Sequence, residues 1–399
     1  MSDLRRLLAL ARERSVVTAT GWWAAAVGVV GVGAGLVLRW TEPVVVGAGL
    51  LALLVLGVLM TLGGSAVTLQ LEVRPARVRP GAVADGLLTV VNNRSRRTAP
   101  ADLEVPVDGR VEAFRMPWLS AGLRTTYPFP IAAERRGVVL VGPVSTVLGD
   151  PFGLARRTVS TSETVELFVH PEVLALPSLD AGLVRDLEGR ATNDPSVSDL
   201  DFHTLRPYVP GDDRRHVHWQ STARASTAAG STSLMVKGYT DTRRSHVGVV
   251  LDARATAYAD EDVFETAVSA AASLAVRALR DEMDVTVVAG AHAVDRGAAA
   301  RVLDGFSRVE PDRTDLPGLA ARLAGLAPAT SIAVLVTGPD TSFGEVQRAA
   351  AHLGPHVRLH VLRVAPGQRS RTSSVLGVSF MTMGAPGDLP RLVRAVGAA

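Results

Sequence analysis

The stretch HVGVVLDARATAYADEDVFETAVSAAASLAVRALRD, His246–Asp281, decides how the C-terminal part of this chain folds. It opens on a short valine-rich apolar run that stops at Asp252. An apolar run of this length with no polar alternation suits a strand covered on both faces. The alanine-rich segment from about Asp260 to Asp281 then predicts a long helix packed by its small residues.

The same grammar continues downstream. VTVVAG (Val285–Gly290), SIAVLVTG (Ser331–Gly338), VRLHVLRVA (Val357–Ala365) and GVSFMTMG (Gly377–Gly384) read as strands. Helices are expected over Leu316–Leu326, over Ser342–Leu353 and at the end of the chain, near Val396. Strands alternating with helices imply a mainly parallel sheet covered on both faces, so residues 246–399 form a Rossmann-type α/β domain. Such sheets bind ligands at the carboxyl ends of their strands, and Asp252 stands at one of those ends.

Upstream, the period changes to two. Val67, Leu69, Leu71 and Val73 alternate with Thr68, Gln70 and Glu72, the pattern of a half-buried strand. Leu88, Val90, Leu103, Val105 and Val107 continue it, and Asn92-Asn93 marks a turn. Residues 66–175 are therefore expected to form an antiparallel β-sandwich. It closes in RRGVVLVGPVSTVLGDPFGLARR, Arg135–Arg157.

Farther upstream still, two uncharged runs bracket a tight turn. TATGWWAAAVGVVGVGAGLVL spans Thr18–Leu38, about twenty residues, the length that crosses a bilayer core. Arg39-Trp40-Thr41-Glu42 interrupts, and a second run follows from Pro43 to Gly64. Trp22, Trp23 and Trp40 lie at the run ends, where indoles favour headgroups. Gly28, Gly31, Gly35, Gly47 and Gly49 suit close helix approach. Residues 18–64 are read as a transmembrane hairpin. Neither run has the polar stripe of a soluble hairpin, and the second run argues against a cleaved signal peptide. Arg5, Arg6, Arg12 and Arg14 precede the first run, while Arg74, Arg77 and Arg79 follow the second. Positive flanks stay cytoplasmic, so residues 1–17 and the whole soluble body are expected on the cytoplasmic side of the inner or plasma membrane, in a multi-pass protein.

Composition narrows the function classes. The chain has 399 residues, and its net charge of +3 leaves no nucleic-acid footprint. It has no cysteine, which removes disulfides, thiolate metal sites and cysteine nucleophiles. There is no Gly-x-Ser-x-Gly elbow, Walker loop or Gly-x-Gly-x-x-Gly after a strand. His216 and His218, with His203, Asp212 and Asp213 nearby, match no zinc spacing and are read as polar positions beside an interface.

Residues 176–245 link the two soluble domains and contain DFHTLRPYVPGDDRRHVHWQSTAR, Asp201–Arg224. Phe202, Leu205, Arg206, Tyr208, Gly211, Asp212, Arg215, Trp219, Ala223 and Arg224 fall on the pattern Glu-Phe-x-x-Leu-Arg-x-Tyr-x-x-Gly-Asp, then arginine, tryptophan and Ala-Arg, with Asp201 in place of the glutamate. This stretch resembles the signature of the bacterial domain of unknown function 58 (DUF58) family. Asp150-Pro151-Phe152-Gly153-Leu154, Val169-His170-Pro171 and the order of parts are also similar to that family. The resemblance implies a non-enzymatic adaptor or scaffold with a von Willebrand factor A-like C-terminal domain. It also implies a MoxR-type AAA+ ATPase as partner, and in some members a transglutaminase-like membrane protein.

A von Willebrand A domain binds Mg²⁺ through Asp-x-Ser-x-Ser and two further loops. Here the first loop reads Asp252-Ala253-Arg254-Ala255-Thr256. Arg254 stands at the first serine position, and a guanidinium offers no lone pair. Thr314 with Asp315 is the candidate second loop. In the third, Gly338 stands where an aspartate is expected, with Asp340 two residues late. No metal or other cofactor is expected, and Arg254 is expected to pair with Asp252 instead. For Arg206, Asp212, Arg215, Trp219 and Arg224 two readings stay open: a clasp between domains with Trp219 as a buried anchor, or a partner-docking surface. A cell-envelope hydrolase or an extracytoplasmic adhesion module are the alternative functions.

Overall fold

The computed structural model describes residues 16–61, 67–98, 100–160, 162–179, 200–209, 217–223, 234–241 and 245–396. The chain divides into two compact units, Met1–Pro171 and Glu172–Ala399.

The first unit contains two apolar helices, α1 (Ala19–Leu38) and α2 (Thr41–Thr61), each long and apolar enough to cross a membrane. Thr18 caps α1 by accepting from the Gly21 N–H, and Arg39 ends it in a left-handed conformation at φ 55°. The two helices meet along glycine. A Cβ on Gly47 would lie 2.6 Å from the Gly28 carbonyl oxygen, so this crossing admits no side chain. Outward-facing Trp22, Trp23, Val30 and Val37 remain exposed.

The strands described in this unit form two sheets. Strands β1 (Val67–Arg74), β3 (Ala82–Asn92) and β6 (Arg124–Ala133) form one antiparallel sheet in the order β1-β3-β6. A second sheet has the order β2-β10-β7-β4-β8-β9. Its strands are β2 (Arg77–Val78), β4 (Ala101–Val107), β7 (Gly137–Val141), β8 (Ser145–Gly149), β9 (Arg156–Ser160) and β10 (Val165–Val169), and β5 (Arg110–Met116) pairs with β4. Asp108 and Gly109, both at positive φ, make the two-residue turn between β4 and β5. Alternating residues from both sheets, among them Leu69, Leu88, Leu103, Ile131, Val141 and Leu167, share one core.

The second unit holds a short antiparallel ribbon of β11 (Leu200–Pro207) and β12 (Met235–Asp241). It also holds a seven-stranded sheet in the order β15-β14-β13-β16-β17-β19-β18. Its members are β13 (His246–Leu251), β14 (Asp284–Ala289), β15 (His292–Asp295), β16 (Ile332–Thr337), β17 (Arg358–Val364), β18 (Arg371–Val375) and β19 (Val378–Met383). The five inner strands are parallel, and the two edge strands run antiparallel to their neighbours. Every residue of β13 and of β16 is buried. Helices α3 (Glu261–Arg280), α4 (Ala299–Ser307) and α7 (Leu389–Val396) contribute to the core on one face, and α5 (Leu316–Leu326) and α6 (Phe343–His352) to the core on the other. Alanines of α3 such as Ala267, Ala271 and Ala275 are fully buried, which lets that helix lie close to the sheet. This architecture, two apolar helices followed by mixed sheets and helices, is that of a multi-domain α/β protein.

Candidate functional site

The first strand of the parallel sheet delivers Asp252 to its carboxyl end, where the side chain is fully buried. The Asp252 N–H donates to the Val336 carbonyl at 2.9 Å, continuing the pairing with β16 into the loop. A carboxylate out of water demands partners, and this one has several. Arg254 Nε–H donates to Oδ1 at 3.0 Å and Nη2–H to Oδ2 at 2.8 Å, a two-pronged ion pair. The Arg254 backbone N–H also reaches Oδ1, at 3.1 Å. From the neighbouring strand end, Thr337 Oγ1 donates to Oδ2 at 2.9 Å and Thr341 Oγ1 lies 3.3 Å from it.

The remaining arm of the guanidinium is held as well. Arg254 Nη1–H donates to Glu345 Oε1 at 2.6 Å, so one cation sits between two carboxylates. Glu345 is placed by local chemistry, because Ser342 and Glu345 form the capping box that starts α6. Tyr258, behind the loop, donates its hydroxyl to the Asp252 carbonyl at 2.5 Å.

The electrostatics follow the geometry. Hydrogen bonds to Asp252, then to Glu345, push the Arg254 guanidinium further toward its charged form. The bond from Arg254 holds the Glu345 carboxyl below its ordinary value. Burial, followed by the negative charge of Asp252, raises the Tyr258 hydroxyl.

The other residues singled out from the sequence are dispersed. Thr256 is exposed on the short turn Ala255–Ala257. Thr314 donates to Asp312 Oδ2 at 3.0 Å rather than to Asp252, while Asp315 caps α5. Asp340 is exposed. Gly338 is explained by space: a Cβ there would lie 1.8 Å from the Ala257 carbonyl oxygen, so an aspartate has no room. The residues present do not fit the divalent ion that the family resemblance raises. Its first serine position is held by a guanidinium, and the carboxylates of Asp252 and Glu345 already pair with that cation. Among the described residues no group of three or more His, Asp or Glu side chains is arranged to hold a metal.

Glu345, Thr337, Thr341 and Tyr258 complete the cluster and were not among the sequence candidates. Ser342-x-x-Glu345 was a readable capping signal, but nothing local in it points to Arg254, 91 positions away.

The signature is described in part. Phe202, Leu205 and Arg206 lie on β11, with Leu205 opposite Lys237 and Arg206 opposite Val236. Leu205 and Tyr208 are half-buried, and the Tyr208 N–H donates to the Leu234 carbonyl at 2.8 Å. Trp219 starts a helical turn over 219–223, and its side chain is 69% exposed. His218 Nδ1 lies 2.7 Å from Ser221 Oγ. Gly211, Asp212, Asp213, Arg215, His216 and Arg224, and the side chains of Phe202, His203 and Arg206, lie outside the described residues.

Comparison with known proteins adds one family. Residues 204–355 match the family model described as "Protein of unknown function DUF58". No curated protein matches. Among solved structures, the CARDB domain of the PF1109 protein from Pyrococcus furiosus is 12% identical over 26% of this chain and 91% of that chain, with a TM-score of 0.21. The RO (RSR) protein of Deinococcus radiodurans is 14% identical over 38% of this chain and 34% of that chain, with a TM-score of 0.25. Alkylpurine DNA glycosylase AlkC of Pseudomonas fluorescens is 14% identical over 30% and 33%, at 0.19. At these scores the likenesses bear on neither fold nor function. The family match runs from Thr204 in β11 through Asp252, Arg254 and Glu345, and it marks this segment as similar to the DUF58 family.

Proposed function

We propose that this protein is a non-enzymatic scaffold held in the cytoplasmic membrane by α1 and α2, with its body in the cytoplasm. Its first unit is a β-sandwich and its second a von Willebrand A-like domain. That domain is offered to a MoxR-type AAA+ ATPase, with a transglutaminase-like membrane protein as a further partner. The observation that carries this reading is the guanidinium of Arg254 between Asp252 and Glu345. At the sheet end where α/β proteins bind ligands, these ionised groups satisfy one another. Such a cluster fixes the loops as a docking platform and leaves neither carboxylate free as a general base. The exposed indole of Trp219 is the type of side chain that anchors protein interfaces.

The test is co-purification. Full-length protein in lipid nanodiscs is mixed with the MoxR-type ATPase of the same organism, alongside the Trp219→Ala variant. The proposal expects capture by the wild type, and loss of capture by a variant that keeps its thermal unfolding profile. Absence of capture by folded wild type contradicts the ATPase partnership, and turnover of a cell-wall substrate by the purified protein contradicts the non-enzymatic reading.

A further inference from the structure

We propose that the hairpin-proximal end of the β-rich unit is a lipid-binding rim. In it Trp118, Leu123 and Phe152 enter the headgroup region while Arg94, Arg96 and Arg97 hold anionic lipid. The proposal rests on the reading of α1 and α2 as membrane spans.

Backbone pairing places these residues together. The Thr18 N–H, at the start of α1, donates to the Leu154 carbonyl at 2.9 Å, and the Arg156 N–H donates to the Val16 carbonyl at 2.7 Å. The turn carrying Phe152 is thereby joined to the entry of the first span. It also touches the second: a Cβ on Gly57 of α2 would lie 3.1 Å from Asp150 Cγ, and one on Gly21 of α1 would lie 2.2 Å from the Leu154 carbonyl oxygen. The turn is stiff, because buried Asp150 accepts from the backbone N–H groups of Phe152 and Ala155.

From that turn the register leads across the sheets. Gly149 pairs with Arg156, Val147 with Asp102, and Ala101 with Met116, two residues before Trp118. Thr98 then bridges to Leu119. The fully buried Asn92 ties the last two loops together. Its Nδ2 lies within 3.1 Å of the Arg96, Leu119 and Ser120 carbonyls, and its Oδ1 accepts from the Arg94 N–H at 3.0 Å. Asn92 in turn pairs with Val67, the first residue of β1, which follows α2 in the chain. Pairing thus connects each of these loops to the end of the unit that the hairpin enters.

The chemistry of the rim selects its occupant. Trp118, Leu123 and Phe152 are 63%, 54% and 57% exposed, and Arg94, Arg96 and Arg97 are exposed as well. Among the described residues, the acidic groups at this end are Asp150, which is buried and hydrogen-bonded in its turn; Glu104, paired with Arg156; and Asp102, on β4 opposite Arg115. The surplus charge is positive. Indole and phenyl rings beside guanidinium groups, continuous with apolar spans, match an anionic bilayer interface.

The absence of cysteine allows a direct test, since any introduced cysteine is labelled uniquely. Nitroxide labels are attached to full-length Trp118→Cys, Phe152→Cys, Val111→Cys and Val30→Cys proteins. Each protein is reconstituted into phosphatidylcholine vesicles with and without phosphatidylglycerol. Val111 is exposed and lies on β5 opposite Pro106, away from the rim; Val30 is exposed on α1. The expected result is a several-fold loss of accessibility to an aqueous nickel chelate at 118 and 152, relative to 111, when phosphatidylglycerol is present. Replacing Arg94, Arg96 and Arg97 together by Gln removes the dependence on phosphatidylglycerol. Labels at 118 and 152 as accessible as 111, with a lipid-buried label at 30, overturn the rim alone. Accessible labels at all four positions overturn the membrane reading and the rim with it.

Discussion

The guanidinium of Arg254 grips the carboxylate of Asp252 with two N–H groups, Nε to Oδ1 at 3.0 Å and Nη2 to Oδ2 at 2.8 Å. Asp252 is fully buried and the Arg254 side chain is 17% exposed. Removing the cation therefore strands a charge that water barely reaches. Arg254→Ala is expected to destabilise the second unit by about 3 kcal/mol, the order seen when one partner of a buried pair is lost. Chemical denaturation of the full chain in detergent checks this, with the Asp252→Asn/Arg254→Ala double variant expected to recover part of the loss.

Glu345 makes the same network sensitive to acid. Its carboxyl is held below the ordinary value of 4.5 by the bond from Arg254. A lowered folded value means that the stabilisation is complete above pH 4.5 and disappears as pH falls through the folded value. Glu345→Gln is expected to weaken the wild-type protein at neutral pH and to flatten the acid side of its stability profile. Thermal unfolding followed from pH 7 to pH 3 reads both effects.

His360 titrates in a different window. It is buried in β17, both ring nitrogens lack a partner among the described residues, and burial pushes its pKa down to about 4 from 6.5. Between those values the unfolded chain takes up a proton that the folded chain refuses, so stability falls as pH drops from 6.5 toward 4. The loss is on the order of 3 kcal/mol. His360→Leu is expected to remove this slope and to be at least as stable as wild type at pH 7.5, because two buried polar atoms without partners are gone. A histidine variant losing stability at pH 7.5 contradicts the assignment.

In the hairpin, Gly47 and Gly49 form an internally controlled pair. A Cβ at 47 meets the Gly28 carbonyl at 2.6 Å, whereas nothing lies within 4 Å of one at 49. Gly47→Leu is expected to cost about 1–3 kcal/mol through overpacking, and Gly49→Leu close to nothing. Melting temperatures of the two variants in the same detergent micelle compare them.

What the sequence discloses and what it hides divide along range. The apolar runs of α1 and α2, the alternation of Val67 to Val73 and the valine run of β13 are local patterns, and each is legible without the fold. The pairing of Asp252 with Arg254 is also local, since the two residues share a loop two positions apart. Glu345 was hidden because its sequence signature, a capping box with Ser342, already explains it; its second role exists only once β13 and α6 converge. Gly338 likewise has no visible reason until the Ala257 carbonyl comes to rest against it. Thr314 looked like a loop partner for Asp252 by order along the chain, yet it turns to Asp312, two residues away. The hairpin-proximal rim draws on residues from 92 to 156, and only strand register brings them to one end.

The most direct test of Arg254 as the built-in cation of this site is the melting temperature of the full-length protein, recorded with millimolar Mg²⁺ and again with EDTA. A ligand that binds only the folded state raises stability in proportion to the logarithm of its concentration. Superimposable unfolding curves are expected for the wild type in both conditions. A melting temperature that climbs with Mg²⁺ and falls in EDTA contradicts it.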